Sequence, residues 1–255
     1  MAKLNRMRPL LGTFVEIGIT TEYDQGVDVI NAAFKRIEMI ENLLSFDDVN
    51  SEISQLNKSG RRGIELHPVS ADVLRLALHM TGVTQGDFNC TNGGALIDKG
   101  LLADHGGSRP ISVGTADDVV LNGCHARLLR PVRVTLQGII KGYAIDQAVN
   151  SLQQQGILSG WINAGGDVRV FGDVAIPIYR REINDSQTLL GEFSNSAIST
   201  STTVNYVDKT HVCTVKAGLS WLADVLIKVA DVAVDNSSNK KIVALGGELL
   251  TVLPS

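Results

Sequence analysis

The chain has little of what marks the specialised protein classes. Cysteine is scarce: Cys90, Cys124 and Cys213 are odd in number and far apart, which fits neither a disulfide framework nor a zinc knuckle. No run approaches the roughly eighteen apolar residues that cross a membrane. The N-terminal MAKLNRMRPLLGTFVEIGIT has early positive charge but lacks the unbroken apolar core of a signal peptide. No Lys/Arg stripe of the kind that tracks a phosphate backbone stands out, so no nucleic-acid partner is expected. Short-period repeats and low-complexity linkers are missing as well. Together these absences lead us to expect a cytoplasmic protein in a reducing compartment, with no membrane partner.

What is there suits a well-packed enzyme or binding protein. Apolar residues make up 44% of the 255 positions, enough for a sizeable core, and the net charge of −4 is that of an ordinary soluble chain. Residues 1–255 read as a single domain. Phe14 to Ile19 alternate as a strand, and Ile30, Ala33, Phe34, Ile37, Ile40 and Leu44 line one stripe of a helix over 28–46. A second helix is expected from an N-cap at Ser70 to Gly82 or Gly86. Residues 93–114 read as loop with short elements. A third helix is expected over 141–155, closed by Gly156, followed by strands at 161–164 and 168–171 around Gly165 and Gly166. A fourth helix over 219–234 is expected to precede a hairpin, 242–245 with 249–252, turned at Gly246 and Gly247. Strands and helices without strict alternation indicate an α+β fold.

Two segments carry the chemistry. VTLQGIIKGYAID (134–146) reads as a strand turning through Gly138 into a helix start, where free N–H groups beside Lys141 suit a pyrophosphate. NAGGD (163–167) supplies two glycines that let a backbone approach closely. Alone, each also reads as an ordinary helix start and an ordinary hairpin turn. His211 and Cys213, two apart on an expected strand, share a face. A Cys–His nucleophile pair is one reading and a half-buried thiol beside a surface imidazole is the other. His67, His79, His105 and His125 show no metal-ligand spacing.

In order along the chain, these segments resemble the FAD:protein FMN transferase (ApbE) family. LGT (11–13), SFDDVNSEISQLN (45–57), GDFNCT (86–91), SAISTS (196–201), His211 and Ala223-Asp224 resemble further family motifs in the same order. The resemblance implies an ApbE-like α+β fold of mixed sheets and helices, with an FAD cleft between two lobes. It implies that FMN is moved from FAD to a Thr or Ser of an acceptor protein, with AMP released and Mg²⁺ assisting. Carried over residue by residue, the FAD contacts are Leu11, Asp87, Phe88, Asn89, Gln137, Gly138, Lys141, Tyr143, Asp146, Gly165, Gly166, Asp167, Thr200 and Val212. The base is His211, and the metal ligands are Asp224 and the Ile140 backbone carbonyl.

The chain also departs from the pattern. Lys228 stands where the family has a metal-binding Thr, and Thr214 where it has an Asp. Asn89 replaces an Asp, Asp47 an aromatic, and Leu11 a Met. An ammonium at Lys228 is one turn from Asp224 and offers the positive charge that the ion otherwise supplies. Helical periodicity alone instead places Asp224, Lys228 and Asp231 on an ordinary polar face. The alternatives to transfer are a non-catalytic flavin-binding protein and a pocket re-purposed for another nucleotide or a pterin.

Overall fold

The computed structural model describes residues 2–21, 26–106, 109–204, 210–232 and 236–250. The elements run β1 (Ala2–Leu10), β2 (Thr13–Thr21), α1 (Gly26–Leu44), α2 (Glu52–Ser59), β3 (Ile64–Glu65), α3 (Pro68–Val83), α4 (Gly93–Asp98), β4 (Val119–Asn122) and β5 (His125–Leu128). They continue with α5 (Ile140–Gln154), β6 (Gly160–Ala164), β7 (Asp167–Phe171), β8 (Ile176–Arg181), β9 (Gln187–Phe193), β10 (Ser196–Val204), β11 (Thr210–Ala217), α6 (Ser220–Val232), α7 (Asn236–Ala244) and β12 (Glu248–Leu249). The chain divides into two compact units, residues 1–38 with 141–255, and residues 39–140.

The first unit is built on an antiparallel seven-stranded sheet in the order β1-β2-β6-β7-β10-β11-β12. Strand alternation gives this sheet two different faces. Val168 pairs with Ile198 in register, and both join Val170 and Ile178 in an apolar cluster with Trp161, Ile176, Leu190 and Phe193. The β8–β9 hairpin therefore covers that face. The opposite face carries Asp167, Arg169, Ala197 and Ser199, and α6 lies across it, with Ala223 packed on Ala197 and Ala217. The predicted apolar stripe of α1 is real: Ile30, Ala33, Phe34, Ile37 and Ile40 are fully buried.

The second unit holds a three-stranded sheet, β3-β5-β4, with α2, α3 and α4. Two α2 features follow from its sequence. Ser51 caps it, its hydroxyl accepting from the Ser54 N–H at 3.1 Å. Asn57 near its end braces the extended 134–136 segment, donating to the Val134 carbonyl at 2.8 Å and accepting from the Val134 N–H at 2.7 Å. A side-chain amide thus imitates one rung of a ladder.

Three expectations need correction. The second helix begins at Pro68, not Ser70: proline is preorganised for the first helical position, and the His67 ring accepts from the Val69 N–H as the cap. Among the described residues no closing hairpin forms over 242–250. Residues 236–244 are helical, with Ile242 fully buried and Val243 exposed, so the IVAL run follows helical periodicity instead of strand pairing. Only Glu248–Leu249 pairs as a strand, with β11, and residues 251–252 lie outside the described residues. The polar face assigned to Asp224 is also absent, because that residue is buried.

Candidate functional site

The chemistry of the first unit gathers where α5 meets α6. Gly142, in the first turn of α5, has no side chain because a β-carbon there would overlap the backbone carbonyl of Ser220. That close crossing lets each helix cap the other. Asp224 on α6 accepts from the Gly142 N–H at 3.2 Å. Asp146 on α5 accepts from the N–H groups of Ser220 and Trp221, both at 3.0 Å, at the start of α6. Each carboxylate thereby meets unsatisfied donors and the positive end of a helix dipole. The helix start at residues 140–142 is not an open set of N–H groups, since Asp224 occupies one of them.

Around this crossing three charges interlock. The Lys141 ammonium lies 3.0 Å from the Asp167 carboxylate, and the Ser199 hydroxyl donates to the other oxygen of Asp167 at 2.6 Å. Burial works against the Lys141 ammonium, but Asp167 and then Asp224 outweigh it and hold its pKa above the ordinary value. Burial and the charge of Asp167 push the Asp224 carboxyl up to about 6, opposed by the Gly142 N–H, Lys141 and Lys228. Burial also raises Asp146, against the two backbone N–H groups and Arg169, whose Nε is 3.6 Å away.

Asp167 is delivered by the turn before it. Gly165 and Gly166 both have positive φ, 63° and 100°, as a two-residue hairpin between β6 and β7 demands. The Gly166 N–H donates to the Asn163 side chain at 3.0 Å. The ordinary reading of NAGGD, a hairpin turn, is therefore correct, and the turn also sets Asp167 beside Lys141. Leu11 and Gly12 form a second two-residue turn, with φ of 57° and 68°, joining β1 to β2. A leucine in that backbone region is uncommon and costs on the order of 1 kcal/mol.

The remaining expected residues are placed as follows. Tyr143 is buried one residue past the crossing. Thr200 lies on the hairpin-covered face and accepts or donates across to Thr214 at 3.1 Å; Val212 shares that face by alternation. Both are thus on the other side of the sheet from Asp167 and Ser199. His211 pairs with Thr203 in the β10–β11 register, and its side chain lies outside the described residues. Cys213 is buried, which raises its thiol pKa. In the second unit Phe88 is buried and Asp87 half-buried. Asn89 accepts from the Thr91 N–H and hydroxyl, and donates to the Gly114 carbonyl at 3.0 Å, a bond an aspartate could not make. Gln137 is exposed, Gly138 has a φ of 87°, and Ile140 opens α5.

Lys228 points its ammonium at Asp231, 3.6 Å away, and Asp231 also accepts from Ser201 at 3.0 Å. Among the described residues no group of three or more His, Cys, Asp or Glu side chains is arranged to hold a metal ion. Asp224 already accepts a backbone hydrogen bond and faces an ammonium, and one turn further along α6 stands a donor-only lysine. This set does not fit a divalent cation, which needs several convergent oxygen ligands.

Comparison with known proteins agrees with the geometry. The profile of the ApbE family matches residues 11–219. A curated FAD:protein FMN transferase of Klebsiella pneumoniae (strain 342) is 25% identical over 200 residues, which is 72% of this chain and 61% of that protein. The match thus spans somewhat under two thirds of its curated relative. Among solved structures, the ApbE protein of Thermotoga maritima superposes with a TM-score of 0.82 at 20% identity, covering 97% of this chain and 93% of its own. The flavin transferase ApbE of Vibrio cholerae gives 0.79 at 18%, covering 95% and 91%. The apo flavinyl transferase ApbE of Pseudomonas stutzeri gives 0.80 at 14%, covering 94% and 87%. These structures share the mixed α+β fold. With its profile matched from the first hairpin turn to the residue before α6, the chain belongs to the ApbE family.

Proposed function

We propose that the protein binds FAD and transfers its FMN half to a threonine or serine of an acceptor protein, releasing AMP. The observation that carries this reading is the Lys141–Asp167–Asp224 cluster at the start of α5. Asp167 and Asp224 hold the Lys141 ammonium in place and protonated at the start of α5, where it offers one fixed positive contact to a diphosphate. Family membership names the diphosphate as FAD, in line with the named activity of the Klebsiella relative.

In the proposed reaction the acceptor hydroxyl attacks the phosphorus of the FMN half. The bond from that phosphorus to the bridging oxygen breaks, and AMP leaves with the electron pair. We assign His211 as the base that takes the hydroxyl proton. Because the donor set does not fit Mg²⁺, we assign the offsetting of negative charge on the leaving AMP to Lys141, with Lys228 adding to the field. A lysine supplies charge without multi-point geometry, so the transfer is expected to be slow. We place the activity in the cytoplasm, which the three free cysteines support.

Titration of the purified protein with FAD, followed by flavin fluorescence with and without Mg²⁺, tests the binding. Release of AMP on adding an acceptor protein tests the transfer. Tight binding that ignores Mg²⁺, followed by AMP release, supports the whole reading. AMP release only with Mg²⁺ removes the lysine assignment and leaves the transferase standing. No binding of FAD sinks both.

A further inference from the structure

Strand β10 carries two serines, Ser199 and Ser201, on the face that α6 covers, and each donates its hydroxyl to an aspartate that meets a lysine. Ser199 donates to Asp167 Oδ1 at 2.6 Å, and the other oxygen of Asp167 lies 3.0 Å from the Lys141 ammonium. Ser201 donates to Asp231 Oδ2 at 3.0 Å, and the Lys228 ammonium is 3.6 Å from that same oxygen. The two chains of contacts differ in tightness. Ser199 is 2% exposed and Asp167 is buried, while the Lys141 side chain keeps 33% of its surface open. In the second chain both links are longer, and the Lys228 side chain is 42% exposed.

The first chain is built to fix a direction. Ser199 stands one rung past the in-register pair Ile198–Val168, which brings it level with Asp167 on the neighbouring strand. An aspartate carboxylate turns broadly about its last torsion, so an ion pair alone leaves its two oxygens interchangeable. The Ser199 hydroxyl removes that freedom by engaging Oδ1 and leaving Oδ2 to the ammonium. A lysine is a flexible four-carbon stem ending in three donors, and its direction is set by the acceptor it meets. With one N–H committed to a fixed oxygen, the other two have defined directions for phosphate oxygens.

We propose that Ser199 is a positioning residue for the diphosphate of FAD: acting through Asp167, it fixes the direction of the Lys141 ammonium without touching the ligand. This role rests on the reading of Lys141 as the diphosphate's positive contact. Ser201 has no part in it, because the carboxylate it meets pairs with a different lysine.

The test uses the intact protein with isotope-labelled lysine, in which the nitrogen–proton resonance of the Lys141 ammonium is identified by its loss in Lys141→Gln. A sharp resonance is expected in the parent, because an ammonium held on one oxygen exchanges its protons slowly. Ser199→Ala is expected to broaden it and to weaken FAD binding about tenfold in a fluorescence titration. Ser199→Cys fills nearly the same space with a weak donor. Its effect is expected to fall between, and it carries the test if the alanine variant does not fold. Ser201→Ala is expected to leave the Lys141 resonance as in the parent. An unaltered Lys141 resonance in the Ser199 variants overturns the proposal. Equal broadening in Ser201→Ala does so too, as does a parent with no resolved Lys141 resonance. Broadening confined to the Ser199 variants supports the positioning role. If FAD binding is then unchanged, or the parent binds no FAD, the positioning stands and the diphosphate reading of Lys141 falls.

Discussion

The helix crossing of the first unit and the basic pocket of the second handle charge in opposite ways. At the crossing, acids and bases interleave: Lys141 meets Asp167 at 3.0 Å, Asp224 caps α5, and Asp146 caps α6 beside Arg169. Nearly every charge there has a structural partner, so folding alone holds the cluster together. In the second unit, around the pocket lined by Lys58, Arg61, Arg130 and Arg133, Arg130 pairs with the Asp118 carboxylate, and Lys58, Arg61 and Arg133 each donate to backbone carbonyls. The first arrangement sets charge against charge, whereas the hydrogen bonds described for the second set charge largely against backbone carbonyls.

The sharpest way to break this comparison is at the closest backbone approach. Gly142→Ala pushes a methyl into the Ser220 carbonyl, separates α5 from α6, and is expected to cost about 3 kcal/mol in the urea unfolding midpoint, with FAD binding lost as well. Next comes Asp146→Ala. It strands two backbone N–H groups and leaves the largely buried Arg169 without its acid, for about 2 kcal/mol by the same measurement. Asp146→Asn is expected to recover part of that loss, since its carbonyl oxygen still accepts.

A smaller effect follows from pH. The Asp224 carboxyl titrates near 6 in the folded chain, above its ordinary 3.8. Its contribution to stability is therefore fully present below about pH 3.8 and is lost as the pH rises through about 6. Asp224→Asn is expected to flatten that part of the stability–pH curve. FAD affinity, measured over the same range, is expected to rise as the pH falls through 6, because neutralising Asp224 removes a charge that repels diphosphate. A fall in affinity instead points to a bound cation that needs the carboxylate. The smallest expected change in stability is from Lys228→Thr, within about 0.5 kcal/mol, since its pairing with Asp231 is 3.6 Å long and partly exposed. That variant sharpens the comparison through binding: FAD affinity is expected to drop without Mg²⁺ and to recover with it.

Much of the fold was readable from the sequence because it rests on periodicity. The stripe of α1, the alternation of β2 and the glycine-closed α5 all appear within two residues of where the pattern puts them. Elements failed where length and context decide. The IVAL run at 242–245 suits a strand or a buried helical turn, and only packing of Ile242 chose the helix. Strands β8 and β9 gain their apolar neighbours from Val168 and Ile198, which lie outside their own segments. At the site, Lys141 and Asp167 came from motifs, but the burial of Asp224 contradicts its helical periodicity. What periodicity misses is that α5 starts against that side of α6, turning a nominally polar position inward. The basic pocket left no linear trace, since Lys58 and Arg61 are some seventy positions from Arg130 and Arg133.

The reciprocal capping of α5 and α6 has a consequence for how this region opens. Each helix has first-turn N–H groups satisfied by a carboxylate of the other, so the two ends are expected to fray together. Amide hydrogens at Gly142, Ser220 and Trp221, nearly eighty positions apart in the chain, should then exchange with solvent at a common rate, as one cooperative opening unit. A diphosphate seated at Lys141 would slow all three together, reporting its arrival on a helix it does not touch.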